Sequence, residues 1–214
     1  MEASRLDRLP EVSAPSRIGE RLREARQSQG LTARDVAKRV GVSPSLISQI
    51  ERDKVNPSVS TLWGLVTVLG LTMSDLFSEV NGAEHLPSAP TASAAGPLTA
   101  LGSRAVVNLA SGVRWERLTA ESDPVVEFLF VVYPAGAESC DEDSLVRHGG
   151  KEYGYIIRGR LGVRIGFDEY ELGPGMALSF DSSSPHRLWA VGDEDAEAIW
   201  VVVGRQSDGR GRLI

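Results

Sequence analysis

The apolar residues of this 214-residue chain change their period once, and the change falls across a segment that can bury nothing. From Ser16 to about Phe77 they recur three and four residues apart with glycine at the breaks, the pattern of short amphipathic helices. Between about Ser78 and Ser103 the run PSAPTASAAGP has no period and almost no bulky apolar side chain, so it reads as a linker. After Arg104 come AVVNLA, VVEFLFVVY, YGYIIRG, LGVRIGF, MALSF and EAIWVVV, parted by Gly, Pro and Asp as short strands are. Two separate cores are expected: an all-α domain of five helices, then an all-β domain whose many short strands imply a closed antiparallel barrel or jelly roll. The boundaries that follow are a disordered arm at 1–15, the helical domain at 16–78, the linker at 79–103, the strand domain at 104–205 and a tail at 206–214.

Composition narrows the class. With 42% hydrophobic and 24% charged residues, disorder throughout, collagen and a coiled-coil rod are excluded. The uncharged-looking stretch from Leu86 to Ser103 is built from Ala, Pro, Ser, Thr and Gly, so no membrane span is expected. The N-terminus has no apolar run after its basic residues, and the single cysteine, Cys140, has no internal disulfide partner; a cytoplasmic protein is expected. The net charge of -6 is segregated, since residues 1–80 hold 11 Lys+Arg against 10 Asp+Glu and residues 81–214 hold 12 against 19. Within 17–54 there are nine basic and five acidic residues, a local excess of the kind a phosphate backbone attracts.

Helix ends are legible in the first half. Ser16 can cap a first helix carrying Ile18, Leu22 and Ala25. Thr32 with Asp35 makes a capping-box start for a second, which Gly41 stops. Ser43 caps a third with Pro44 in its first turn, Ser58 a fourth, and a short fifth runs from about Thr72 to Phe77. The second and third are joined only through VGVS, the spacing of a helix-turn-helix. If the third helix buries Leu46, Ile47 and Ile50, its opposite stripe is Ser45, Ser48, Gln49 and Arg52. Any soluble helix shows a polar stripe, but this one is equipped to read bases, since Gln bonds adenine bidentately and Ser bonds several base edges.

The run from Ile18 to Gly70 resembles the five-helix DNA-binding domain of the phage-repressor-like (Xre/Cro) regulators. The resemblance implies that the helix beginning at Ser43 enters the major groove of a double-stranded operator. It carries base contacts onto Ser43, Ser45, Ser48 and Gln49, and phosphate contacts onto Arg34, Arg52, Lys54 and Asn56. Pro44 stands where phage repressors often have Gln. The match also pairs Arg26 with Glu51, read as a structural ion pair rather than a DNA contact.

In the second half, His148 and Glu152 lie four apart, roughly 13 Å along a straight strand, too far to share one ion. The intervening Gly149-Gly150 invites a turn that aims both into one cavity. His186 follows a second glycine turn in YELGPGMALSFDSSSPHRLWA. The two segments resemble the paired motifs of the cupin barrel. Four-ligand cupins carry a further His where this chain has Val146, and often an Asn where it has Ala190. What remains, His148, Glu152 and His186, suits a divalent metal such as Fe, Zn, Mn or Ni with open positions, or polar contacts to an organic ligand without metal. Cys140 among acids reads as an unreactive loop cysteine, and Trp115, Trp189 and Trp200 as core or dimer-interface residues. The GRQSDGRGR tail reads as a solvated end.

The combination looks like an Xre-family transcriptional regulator, expected to be a repressor, with a C-terminal cupin sensor for a small-molecule effector. A homodimer through the cupin domain is expected, and no enzymatic activity. The alternative is a mononuclear-metal cupin enzyme, since an iron epoxidase acting on hydroxypropylphosphonate also joins a helix-turn-helix-like domain to a cupin with a His-Glu-His set.

Overall fold

The computed structural model describes residues 18–77 and 97–204. The expected arm, the Ser16 cap, the tail and all of the linker before residue 97 lie outside them. Of the linker, residues 97–103 are described and contain the 3-10 turn Leu101–Ser103.

Four helices build the first domain: α1 (Ile18–Ser28), α2 (Ala33–Val40), α3 (Pro44–Ile50) and α4 (Val59–Leu69). Their ends are set by local chemistry. The Thr32 hydroxyl accepts the Asp35 N–H while the Asp35 carboxylate accepts the Thr32 N–H, a complete capping box at α2. Gly41, at φ 82, closes α2 in the left-handed conformation that a side chain would resist. Ser43 and Ser58 cap α3 and α4 through the N–H groups of Leu46 and Thr61. Leu22, Val36, Ile47, Ile50, Leu62 and Leu65 are buried between the helices, each contributing about 1.5–3 kcal/mol by leaving water. Gly19 admits the closest approach: a Cβ there would lie 2.3 Å from the Ile50 carbonyl oxygen, where α1 meets the end of α3.

Among the described residues the second domain has nine strands: β1 (Val106–Asn108), β2 (Arg114–Arg117), β3 (Val126–Tyr133), β4 (Lys151–Arg158), β5 (Leu161–Ile165), β6 (Asp168–Leu172), β7 (Ala177–Asp181), β8 (His186–Ala190) and β9 (Ala196–Val203). They form one sheet in the order β1-β2-β3-β9-β4-β7 and another in the order β6-β5-β8. β4 and β9 are antiparallel with Glu152 opposite Val202 and Gly154 opposite Trp200, so Glu152, Gly154 and Ile156 turn inward.

Two features of the expected fold are corrected. The helical domain has four longer helices, and the fifth that the sequence predicts is reduced to the single helical turn α5 (Met73–Leu76). The strands do not close into a barrel, because no ladder among the described residues joins the two sheets. The reason lies beside β8. Among the described residues the chain facing it pairs with it through two isolated bridges, Glu138 with Trp189 and Val146 with His186, and otherwise through side-chain bonds such as Leu188 N–H to Ser139 Oγ and Arg187 to the Cys140 carbonyl. Between those bridges Asp141, Glu142, Asp143 and Ser144 are exposed, and such a polar run interrupts a ladder rather than continuing it. At the other margin β6, DEYEL, buries only Leu172, a charged edge that discourages further pairing.

Candidate functional sites

The helix α3 presents Ser45 to solvent, with Ser48 and Gln49 partly exposed, and Arg34, Arg52, Lys54 and Asn56 are exposed around it. Ser43 uses its oxygen as the helix cap, and the Arg52 Nε–H donates to the Ser48 carbonyl at 2.7 Å. Behind this face Arg26 of α1 grips Glu51, which follows α3, through two bonds of 2.6 and 2.8 Å, while a third N–H goes to the Leu31 carbonyl. The carboxylate raises the Arg26 pKa further. Only 13% and 9% of these side chains is exposed, so the pair fixes how α3 is presented.

In the second domain the chain brings three distant residues together. The His148 N–H bonds to the Ser182 carbonyl, and Val146 and His186 exchange backbone bonds, so residues 146–148 run beside 182–186. Gly150, at φ 108, then turns the chain into β4. The result is a buried triad of His148, Glu152 and His186 whose ligand atoms all lie within 4.8 Å of one another.

Each member of the triad is oriented by a second bond. The His148 Nδ1 donates to the Gly149 carbonyl at 3.1 Å and the His186 Nδ1 to the Ser184 carbonyl at 2.9 Å; a carbonyl can only accept, so both Nε2 atoms face the cavity. The Trp200 indole N–H donates to Glu152 Oε2 at 2.6 Å, leaving Oε1 toward the histidines. Oε1 lies 3.0 Å from the His148 Nε2 and 3.3 Å from that of His186, yet is buried without a directed hydrogen bond. Burial is the strongest influence on Glu152 and raises its pKa, but the two imidazoles and the Trp200 N–H together outweigh it and bring the carboxyl to about 2.

Three converging acceptors need positive charge between them, either a proton on an imidazole or a metal cation. Donors sharing a cation at roughly 2.0–2.2 Å and meeting it near a right angle stand about 3 Å apart. The residues present therefore fit a divalent metal held by His148, Glu152 and His186, with open positions toward the cavity.

That cavity also contains residues the sequence reading assigned elsewhere. Trp200, read as core or interface, holds Glu152. A Cβ on Gly154 would lie 2.2 Å from the Trp200 ring, so glycine is what lets the indole lie there. Trp63 and Val59 of α4 enter the cavity wall from the helical domain, Trp63 stacked on the His148 ring at 4.5 Å and 29°. The Ala110 N–H also reaches across to the Pro57 carbonyl at 2.8 Å. The two domains are thus not separate cores. A signal for this was present in STLWGLVTVLG, which carries more apolar residues than one helix face can use.

Residues 22–76 match the family model described as Helix-turn-helix, and residues 128–202 the one described as Cupin domain. Over 170 residues the chain is 31% identical to the HTH-type transcriptional regulator PuuR of Escherichia coli (strain K12), spanning 78% of this chain and 84% of that protein. The chain belongs to the helix-turn-helix transcriptional regulators that carry a cupin domain. Over 64 residues the regulator is 41% identical to the HTH-type transcriptional regulator DdrOP3 of Deinococcus deserti, covering 30% of this chain and 50% of that one. The crystal structure of a helix-turn-helix family transcriptional regulator from Vibrio cholerae shares the regulator's fold, with a TM-score of 0.61 at 22% identity over 90% of this chain and 97% of that chain. No helix among the described residues is long and apolar enough to cross a membrane.

One functional expectation is corrected by the triad itself. The sequence reading expected no enzymatic activity and kept a mononuclear-metal cupin enzyme as the alternative, but a compact His-Glu-His set is equipment for metal-assisted chemistry, so the expectation of none does not stand.

Proposed function

We propose that this regulator is a ligand-responsive repressor, acting in the cytoplasm as a homodimer, that releases its operator when a small molecule enters the cupin cavity. The observation that carries the reading is that α4 belongs to the DNA-binding domain and is at the same time a wall of the triad's cavity. Ser43, Ser45, Ser48 and Gln49 would face base edges in the major groove, and Arg34, Arg52, Lys54 and Asn56 the flanking phosphates. His148, Glu152 and His186 would hold a divalent cation, which when bound supplies a positive centre for an oxygen or nitrogen donor of the effector. The chain's own part is to orient that centre: Gly149 and Ser184 fix the imidazoles, and Trp200 fixes the carboxylate.

Dimerisation is supported by the outer face of the larger sheet. Tyr153, Tyr155 and Ile157 of β4 are 42, 50 and 45% exposed, and Phe128 of β3 is 38% exposed on the same sheet. A contiguous apolar face is the usual signature of a partner surface, and a two-fold axis through it would present two α3 helices to half-sites roughly 34 Å apart. Genome-wide footprinting with wild-type protein tests the reading. Discrete footprints made of two related half-sites about one DNA turn apart are expected; uniform coverage without preferred sites would refute it.

The triad favours a second reading, metal-dependent conversion of the ligand. Oxygen consumption or product formation by Fe(II)-loaded protein with the effector, lost in Glu152→Gln, would establish it.

A further inference from the structure

The cavity beside the triad has a volume of about 40 Å3. One water needs about 10–15 Å3 of such space, so there is room for two or three waters, or for one group of about three heavy atoms in their place. Charge decides which group the site favours. Both imidazoles give their Nδ1–H to carbonyls and would ligate through Nε2 as neutral rings, so a divalent cation beside the Glu152 carboxylate leaves one positive charge uncompensated out of water. Glu127, the other carboxylate on the cavity wall, is already engaged. A second side chain on that wall lacks something too. Tyr133, the last residue of β3, follows Leu129 and Val131 at every second position, so the three share the inner face and line the cavity. It is 2% exposed. The Trp115 indole N–H donates to its oxygen, but among the described residues no acceptor takes the phenol's own proton. Burial, and after it the charge of Glu152, raises the Tyr133 pKa, so the proton stays in place and the hydroxyl feels the carboxylate across the same space.

We propose that the effector presents a carboxylate to this cavity, one oxygen on the cation held by His148, Glu152 and His186 and the other accepting the Tyr133 O–H. The proposal rests on the sensor reading and names the chemical class that the sensor takes. The two holds ask different things of a ligand. The cation asks for negative charge, and the hydroxyl for a second lone pair close to the first; a carboxylate carries both in three atoms, which is what the cavity has room for. A neutral alcohol would leave the site's charge uncompensated, and water would supply the hydroxyl with an acceptor but no charge. Tyr133 is therefore the specificity-determining side chain of the site. Its effect is separable from the metal's, because it acts on the ligand and is not one of the three residues that converge on the cation.

The experiment uses full-length protein loaded with Co(II), and formate, the head group alone, as the probe. Formate should change the Co(II) visible absorption to saturation. Tyr133→Phe keeps the ring and loses only the hydroxyl; it should retain Co(II) against a chelator as wild type does, yet bind formate about ten- to a hundredfold more weakly, the worth of one hydrogen bond to a charged group. A second measurement questions the wild type itself and does not depend on that variant's folding. With Zn(II) in place of Co(II) and tyrosine labelled with 13C at Cζ, formate should shift the Tyr133 resonance, assigned by elimination with Tyr153→Phe, Tyr155→Phe and Tyr170→Phe. If formate changes the Co(II) absorption while the Tyr133 resonance stays fixed, Tyr133 is not the acceptor's partner and the inference falls. If formate leaves the absorption of Co(II)-loaded protein unchanged, the carboxylate class is wrong and the inference falls with the sensor reading still standing. Protein that holds no Co(II) would remove the cation and overturn the inference in the same way. If formate binds through Tyr133 and operator affinity does not respond, the ligand class is established and the sensor reading is what fails.

Discussion

At the scale of single residues, charge placed out of water decides most of what can be tested. Glu51→Ala would strand Arg26 between α1 and α3 with one carbonyl partner, at a cost of about 3 kcal/mol for a largely buried pair. Urea denaturation should show that loss, and a variant melting like wild type would refute the structural role of the pair. Gln49→Ala should act differently, lowering affinity for the operator by about 1–3 kcal/mol with the salt slope nearly unchanged, whereas Arg52→Ala should weaken binding to every duplex and reduce the slope by about one. Equal loss of specific and random binding in Gln49→Ala would remove it from base reading. Glu152 supplies a pH dependence whose sign can be worked out. Its carboxyl is depressed from an ordinary 4.5 to about 2, so its contribution to stability is complete above 4.5 and is lost as pH falls from there toward 2. Metal-free Glu152→Gln should therefore show a flatter fall of stability across that window than metal-free wild type, as followed by denaturant midpoints.

At the scale of elements, the ends of helices were legible because each is written in a few adjacent residues. Thr32 with Asp35, Ser43 with Pro44, and Ser58 all cap where the sequence places caps, and Gly41 stops α2. The Gly149-Gly150 turn that joins His148 to Glu152 was legible for the same reason. Closure of the strand domain was not, because whether β8 finds a second partner opposite β5 depends on what a distant acidic loop does between Glu138 and Val146. Nor was the role of Trp200, since the pairing that sets it over Gly154 is a register between strands 46 positions apart. That pairing makes a sharp test. In Gly154→Ala the new methyl would meet the indole, push Nε1 off the Glu152 oxygen and leave a buried carboxylate oxygen without its donor. The expected outcome is weaker metal retention with helix content intact, measured by competition with a chelator, and unchanged retention would show the indole bond to be dispensable.

At the scale of the whole molecule, the proposed dimer through the apolar outer face of the larger sheet would decide how a reading head only seven residues long finds an operator. One α3 helix touches too few bases to select a site in a genome, and affinity in such a case comes from linking two copies, which multiplies single-site binding by about 10²–10⁴ without any new contact. The strand β4 is suited to supply the link, because its residues alternate from 151 to 157: Glu152, Gly154 and Ile156 turn inward, Glu152 into the cavity, while Lys151, Tyr153, Tyr155 and Ile157 face out. A charge at the centre of that outer row would be stranded in a paired face but solvated on a single one. Tyr155→Asp should consequently leave the fold and the triad intact, convert the protein to monomer in sedimentation velocity, and lower operator affinity by a factor within that range while affinity for an isolated half-site is unchanged. A Tyr155→Asp protein that remains dimeric would place the two-fold axis elsewhere on the molecule, and one that is monomeric yet binds the full operator as wild type does would show that a single reading head suffices.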